Sequence, residues 1–225
     1  MNRRELLVSL AGTLLAPRLL AQEPRVLRVG HALKDDSALR GAQLGAEEAG
    51  RTAELLGARL ELVNGTDGVL AVVGELGASE SAVPFLNIRS VEERGPVRPN
   101  VFHVASGAAE RREALERWQG PKPEGLKVVD WHPSLTKFGA EQLNQRFETR
   151  FGAPMDERAW AAWMAVMAAT EAALRNTTLE RLRFDGHKGA RLSFRSDRTL
   201  RQPLYVVAGV AGNEVLGEVS PEEEE

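Results

Sequence analysis

The chain holds four histidines, His31, His103, His132 and His187, the side chains best suited to moving protons near neutral pH. No two are four residues apart, and none stands beside a carboxylate in a metal motif, so no metal site is expected. His103 lies in a strand pattern and His187 sits between the turn glycines Gly186 and Gly189, both ordinary places for structural or solvated histidines. Asp35-Asp36 could meet a cationic ligand or form a solvated loop pair. Ser79 and Ser81 lie in a small, polar run, where a hydroxyl can cap a short helix and free N–H groups can receive an anion. A nucleophile elbow, a phosphate loop, a GxGxxG turn and paired-carboxylate motifs are all missing from the sequence. The sequence therefore gives no reason to expect an enzyme or a bound cofactor.

The elements that must position these groups alternate strand and helix. Residues 26–32, 59–63, 69–73, 84–88 and 100–105 read as strands, mostly apolar throughout. A helix capped by Ser37 follows the first strand, with Ala42, Ala46, Ala49, Ala53 and Leu56 at helical spacing before Gly57. A second helix, capped by Ser106, runs to Trp118. This pattern predicts an α/β fold with a parallel sheet covered on both faces. Residues 119–125 are a Gly/Pro linker, and residues 126–131 a short strand.

The chain is organised around two helices. Residues 137–151 place Ala140, Leu143, Phe147 and Phe151 on one face, and Gly152 and Pro154 break the helix. Asp156 can cap the next helix, where Glu157 suits the dipole and Trp160, Trp163, Met164, Met167, Ala168, Ala172 and Leu174 are apolar. A helix apolar nearly all round must be buried, and this one is too short to span a bilayer. A short element at 179–182, a strand at 191–194 and a terminal hairpin, 204–210 with 214–219, complete the chain. The domain reading is 1–22 leader, 23–118 first lobe, 119–135 shortened crossover, 136–178 helix pair, 179–219 C-terminal strands and 220–225 acidic tail.

The 225 residues suffice for one or two domains, and a net charge of −3 leaves no basic footprint for nucleic acid. With no cysteine, disulfides, thiol chemistry and cysteine-zinc sites are excluded. The opening MNRRELLVSLAGTLLAPRLLAQ has a basic start, an apolar stretch and a small-residue exit at Ala21. It reads as a secretory signal cleaved near Ala21, and Arg3-Arg4 resembles a twin-arginine signal. Export to the periplasm is expected.

Several stretches carry a resemblance: Trp131-His132-Pro133, Phe138-Gly139-Ala140, Gln142-Leu143, Arg146-Phe147, Pro154-Met155, Ala161-Ala162-Trp163, Lys188-Gly189, Leu192-Ser193-Phe194-Arg195 and Leu200-Arg201-Gln202-Pro203-Leu204. With Asn100-Val101-Phe102-His103 and Ser106 upstream, they resemble type I periplasmic binding proteins, the branched-chain amino-acid receptors of ABC transporters. They look closest to receptor-like proteins of PQQ-dependent alcohol dehydrogenase systems. The resemblance implies a type I lobe with a reduced second lobe and a C-terminal β-hairpin. It also implies a small organic ligand (an amino acid, an acid or an alcohol-derived molecule) and an ABC permease or a quinoprotein dehydrogenase as partner. In this family the loops matching 77–81 and 89–91 hold the ligand's carboxylate and amine, which marks Ser79 and Ser90. The carboxyl-end rule for open sheets adds the loop of Ser106.

The sequence departs from that family in length. A second lobe needs several βα units of about 20–30 residues each, and seven linker residues cannot supply them. Most of the second lobe is therefore expected to be missing. The rival expectation is a periplasmic interaction module that has lost its clamp, with a homodimer as one outcome, since a lost lobe uncovers apolar surface.

Overall fold

The computed structural model describes residues 23–75, 83–93, 97–209 and 214–221. The chain opens with β1 (Arg25–Ala32), α1 (Asp36–Leu55), β2 (Ala58–Asn64), β3 (Ala71–Gly74), β4 (Phe85–Asn87) and β5 (Val101–His103). These strands form one parallel sheet in the order β2-β1-β3-β4-β5. β1 lies inside the sheet, so α1 crosses over it and carries the chain to the edge strand β2. The expected cap of α1, Ser37, is displaced by Asp35, whose carboxylate accepts the Ala38 N–H at 2.9 Å. A charged side chain two residues earlier satisfies the first turn, and the helix starts at Asp36.

After β5 come α2 (Ala108–Arg117), β6 (Lys127–Val129), α3 (Ala140–Phe151) and α4 (Glu157–Leu174). The cap of α2 is Gly107 rather than the expected Ser106, and the Glu110 carboxylate reaches back to the Gly107 N–H at 2.9 Å. Asp156 caps α4 as expected, accepting from Ala159 N at 2.8 Å. The first of the two organising helices begins at Ala140, three residues later than its pattern suggested, because Phe138 and Gly139 both have positive φ (57° and 83°).

Trp160, Trp163 and Met164 of α4 are fully buried between α1 and the rest of the chain. The two helices approach backbone to backbone: a Cβ on Gly41 would stand 2.0 Å from the Ala159 carbonyl oxygen. Trp131, just after β6, lies parallel to Trp160 with ring centres 5.7 Å apart, and its N–H donates to Asn144 Oδ1 at 2.8 Å. Leu27, Val29, Val73, Leu86 and Phe102 of the sheet are buried, and all but Leu27 share one core cluster with α1 and α4. A smaller cluster of Val69, Val72, Phe85 and Val101 forms separately. Helical cover on both faces was expected; residues 76–82, which follow β3, lie outside the described residues.

The chain ends with a 3₁₀ turn at Leu179–Arg181, then β7 (Arg183–Asp185), β8 (Arg191–Phe194), β9 (Leu200–Arg201), β10 (Leu204–Ala208) and β11 (Glu214–Val219). β7-β8-β9 form a small antiparallel sheet. β10 and β11 form the expected terminal hairpin, and β6 joins it antiparallel through Tyr205 opposite Val129. The result is a second three-stranded sheet, β11-β10-β6, with α2 packed on it through Ala114, Val128, Leu204 and Val206. Among the described residues no helix is long and apolar enough to cross a membrane.

Candidate functional site

The carboxyl ends of β3, β4 and β5 converge on Asn87, which is fully buried. Its Nδ2 donates to the Arg89 carbonyl at 2.7 Å and lies 3.1 Å from His103 Nδ1, while its Oδ1 accepts the Arg89 N–H at 3.2 Å. This one side chain fixes the turn that presents Arg89 and Ser90. Both are exposed, so the Ser90 hydroxyl faces solvent where the sequence placed a ligand. The same edge carries an alternating chain of charges. Arg89 reaches Glu75 at 3.4 Å, Arg158 reaches Glu75 at 3.8 Å, and Arg158 reaches Asp35 at 2.9 Å. Asp35-Asp36 is thus a helix start, with Asp35 already paired. Burial lowers the pKa of His31, at the end of β1, which keeps its ring neutral further into the acid range.

Ser106 sits elsewhere, 6% exposed and inside a polar network. Its N–H donates to Asp130 Oδ2 at 3.1 Å, and its Oγ accepts from Arg111 Nε at 2.9 Å. Arg111 bridges the carboxylates of Asp130 (3.0 Å) and Glu157 (2.8 Å), and Glu157 also accepts the Asp130 N–H at 2.8 Å. Gln202 completes the set, donating to Asp130 Oδ1 at 3.1 Å and to the Val104 carbonyl at 3.0 Å. Burial pulls Arg111 down, but Asp130 and Glu157 outweigh it and hold the guanidinium above its ordinary value. Burial pushes the Glu157 carboxyl up, and the Asp130 charge adds to that. Three successive N–H groups leading into α2 are used: Ser106 by Asp130, Gly107 by Glu110, and Ala108 by the Val91 carbonyl at 3.0 Å. The network ties α2, β6, α4 and the β9–β10 connection together.

Ser90 and Ser106 therefore occupy different settings, one open to water and one sealed into a junction. Ser79 lies outside the described residues. Arg111, Asp130, Glu157 and Gln202 were not singled out as site residues from sequence. Their only sequence signals were a charge directly after an apolar strand at Asp130, and a Gln beside Pro203 in a stretch matched to the receptor family. Glu157 was read for its helix position alone. Among the described residues no group of three His, Asp or Glu side chains could hold a metal ion.

No family model matches the chain, and no curated protein sequence matches it. Solved structures do. A periplasmic binding protein from Burkholderia mallei aligns with a TM-score of 0.65 at 10% identity, over 89% of this chain and 96% of its own. The branched-chain amino acid transporter substrate-binding protein LivJ from Streptococcus pneumoniae, in complex with isoleucine, aligns at 0.62 and 11% identity, over 87% and 98%. A solute-binding protein of an ABC transporter from R. palustris, in complex with benzoate, aligns at 0.60 and 11% identity, over 88% and 97%. The fold is thus that of the type I periplasmic binding proteins, α/β with a five-stranded parallel sheet, followed here by two three-stranded antiparallel sheets, one of which carries the terminal β-hairpin.

Proposed function

We propose that the chain is an exported, non-catalytic binding component of the branched-chain amino-acid receptor class, taking a small organic ligand at the carboxyl edge of its parallel sheet. The observation that supports this is the turn held by Asn87, which presents Arg89 and the open Ser90 hydroxyl at the place where ligands bind to open parallel sheets. Ser79, marked by the family resemblance, would contribute as well. The resemblance of the stretches from Trp131 to Leu204 supports an ABC permease or a quinoprotein dehydrogenase of a PQQ-dependent alcohol oxidation system as partner. Residues 1–22 would serve as the export signal, cleaved near Ala21, delivering the chain to the periplasm.

A second reading has its own support. The Ser106, Arg111, Asp130, Glu157 and Gln202 network is closed on itself, which suits a fixed junction better than a hinge between two clamping lobes. On that reading the chain is a periplasmic interaction module whose clamp is gone. One screen separates the two. Melting temperature is followed with branched-chain amino acids, small acids and alcohols, because a ligand that binds only the folded state stabilises it by mass action. A shift with one class, reduced in Ser90→Ala, supports the receptor. A flat screen with a dimer mass by light scattering supports the module.

A further inference from the structure

A second groove lies far along the chain from the carboxyl edge. Trp163, Met167 and Glu171 of α4, with Arg175 at its C-terminal cap, recur every four residues and form the groove's floor, about 18 Å long for a rise of about 1.5 Å per residue. The β7–β8 hairpin forms its wall, and the groove encloses about 570 Å³.

One end is aromatic. The His187 ring stacks on Trp163 with centroids 5.5 Å apart and planes 29° apart. Phe138, 56% exposed, packs its ring against Gly189, where a Cβ would meet it at 2.5 Å. Phe138 and His187 face each other through a 3.2 Å contact between His187 Nδ1 and the Phe138 carbonyl, and both have φ of 57°. Left-handed backbone is costly for a bulky residue such as Phe138, though His tolerates it better, and Phe138 held in it against His187 at the end of one groove marks a place where strain is kept. A large apolar ring exposed there needs a reason that packing does not give.

The other end is charged, and its charges are not all spent. Glu171 pairs with Arg175 at 2.5 Å, Glu48 pairs with Arg146 at 2.6 Å, and Asp185 Oδ1 accepts the His187 N–H at 2.8 Å. Burial pushes the Glu171 carboxyl up, and the nearby Arg175 and Arg191 charges oppose that. Among the described residues, neither Arg183 nor Arg191 has a carboxylate within ion-pair distance, and both line the groove. A groove with an aromatic end and two guanidinium groups outside ion-pair distance of any described carboxylate fits one kind of molecule.

We propose that this groove is a binding site, separate from the carboxyl edge, for a monocarboxylate with an apolar body. The body lies against Phe138 and His187, and the carboxylate meets Arg191 and Arg183. Guanidinium groups bind carboxylates with paired, charge-assisted hydrogen bonds, which sets the acid apart from an amine or an alcohol of the same shape.

The test titrates 3-phenylpropionate, 3-phenylpropylamine and 3-phenylpropanol into the full chain at neutral pH by calorimetry. The acid should bind saturably at one site, with the amine and alcohol weaker by about tenfold or more. Arg191→Gln and Phe138→Gly should each weaken the acid by about tenfold. Phe138→Gly should keep or raise the melting temperature, since glycine accepts positive φ, so its loss of binding is not a loss of fold. No binding of the acid, equal binding of the three probes, or unchanged binding in both variants overturns the site. Binding that survives both variants but is lost in Ser90→Ala belongs to the carboxyl edge and also overturns it.

Discussion

The ammonium nitrogen of Lys188 stands 4.1 Å from the centre of the Trp160 ring, with the Tyr205 ring at 5.2 Å. It donates to Gln202 Oε1 at 2.6 Å and to the Pro203 carbonyl at 3.0 Å. Lys188 is fully buried, so one side chain spans the β7–β8 loop, α4 and the β9–β10 connection.

That burial sets a pH dependence. Desolvation lowers the Lys188 pKa from 10.5 to about 7, although the charges of Asp130, Glu157 and Glu218 pull the other way. Between about 7 and 10 the unfolded chain carries a proton that the folded chain has released. Stability should therefore rise with pH across that window, by an amount on the order of a few kcal/mol. Urea unfolding at pH 6.5, 8 and 9.5, in the parent and in Lys188→Met, checks it. The rise should be present in the first and missing from the second; equal slopes would sink the idea.

Arg111 neutralises two carboxylates at once, and the Asp130 side chain is essentially inaccessible to water. Arg111→Met should leave that carboxylate buried without its cation and cost about 3–5 kcal/mol. The double change Arg111→Met with Asp130→Asn should recover part of the loss, because the stranded charge is gone. Chemical denaturation of Arg111→Met, Asp130→Asn and the double variant measures it, and an additive double variant would contradict the pairing.

Gly41 and Gly45 let α1 lie directly on α4. A methyl at Gly41 would meet backbone, the Ala159 carbonyl, rather than a side chain that could swing aside. Gly41→Ala should cost about 1–3 kcal/mol or more, whereas Gly50→Ala, with its nearest neighbour 4.0 Å away, should be neutral or slightly stabilising. A pair of thermal melts distinguishes them.

The five parallel strands, the terminal hairpin and the two organising helices could be read from sequence because apolar periodicity and glycine stops report burial directly, whereas the short β7 and β9 carry too few residues for a pattern. Trp160, Trp163 and Met164 were readable as core for that reason. Caps were harder. Ser37 and Ser106 looked right by type, but Asp35 caps α1 with its own carboxylate, and α2 starts at Gly107 with the Glu110 carboxylate reaching back to it, because the cap position depends on where the chain enters the helix. The pairing of β6 with β10 joins residues far apart in sequence, and no local pattern encodes it. The polar junction was hidden for the same reason: Arg111, Asp130, Glu157 and Gln202 come from four separate segments, each unremarkable alone.

That distant pairing has a consequence for how the molecule is made. β6 finds its neighbour only when residues near Tyr205 arrive. A ribosome that has released the parallel sheet still holds the strand that completes the smaller one, and contacts between remote segments form slowly. Until the residues around Tyr205 are available, the edge of β6 that pairs with β10 has no partner strand, and the smaller sheet cannot close.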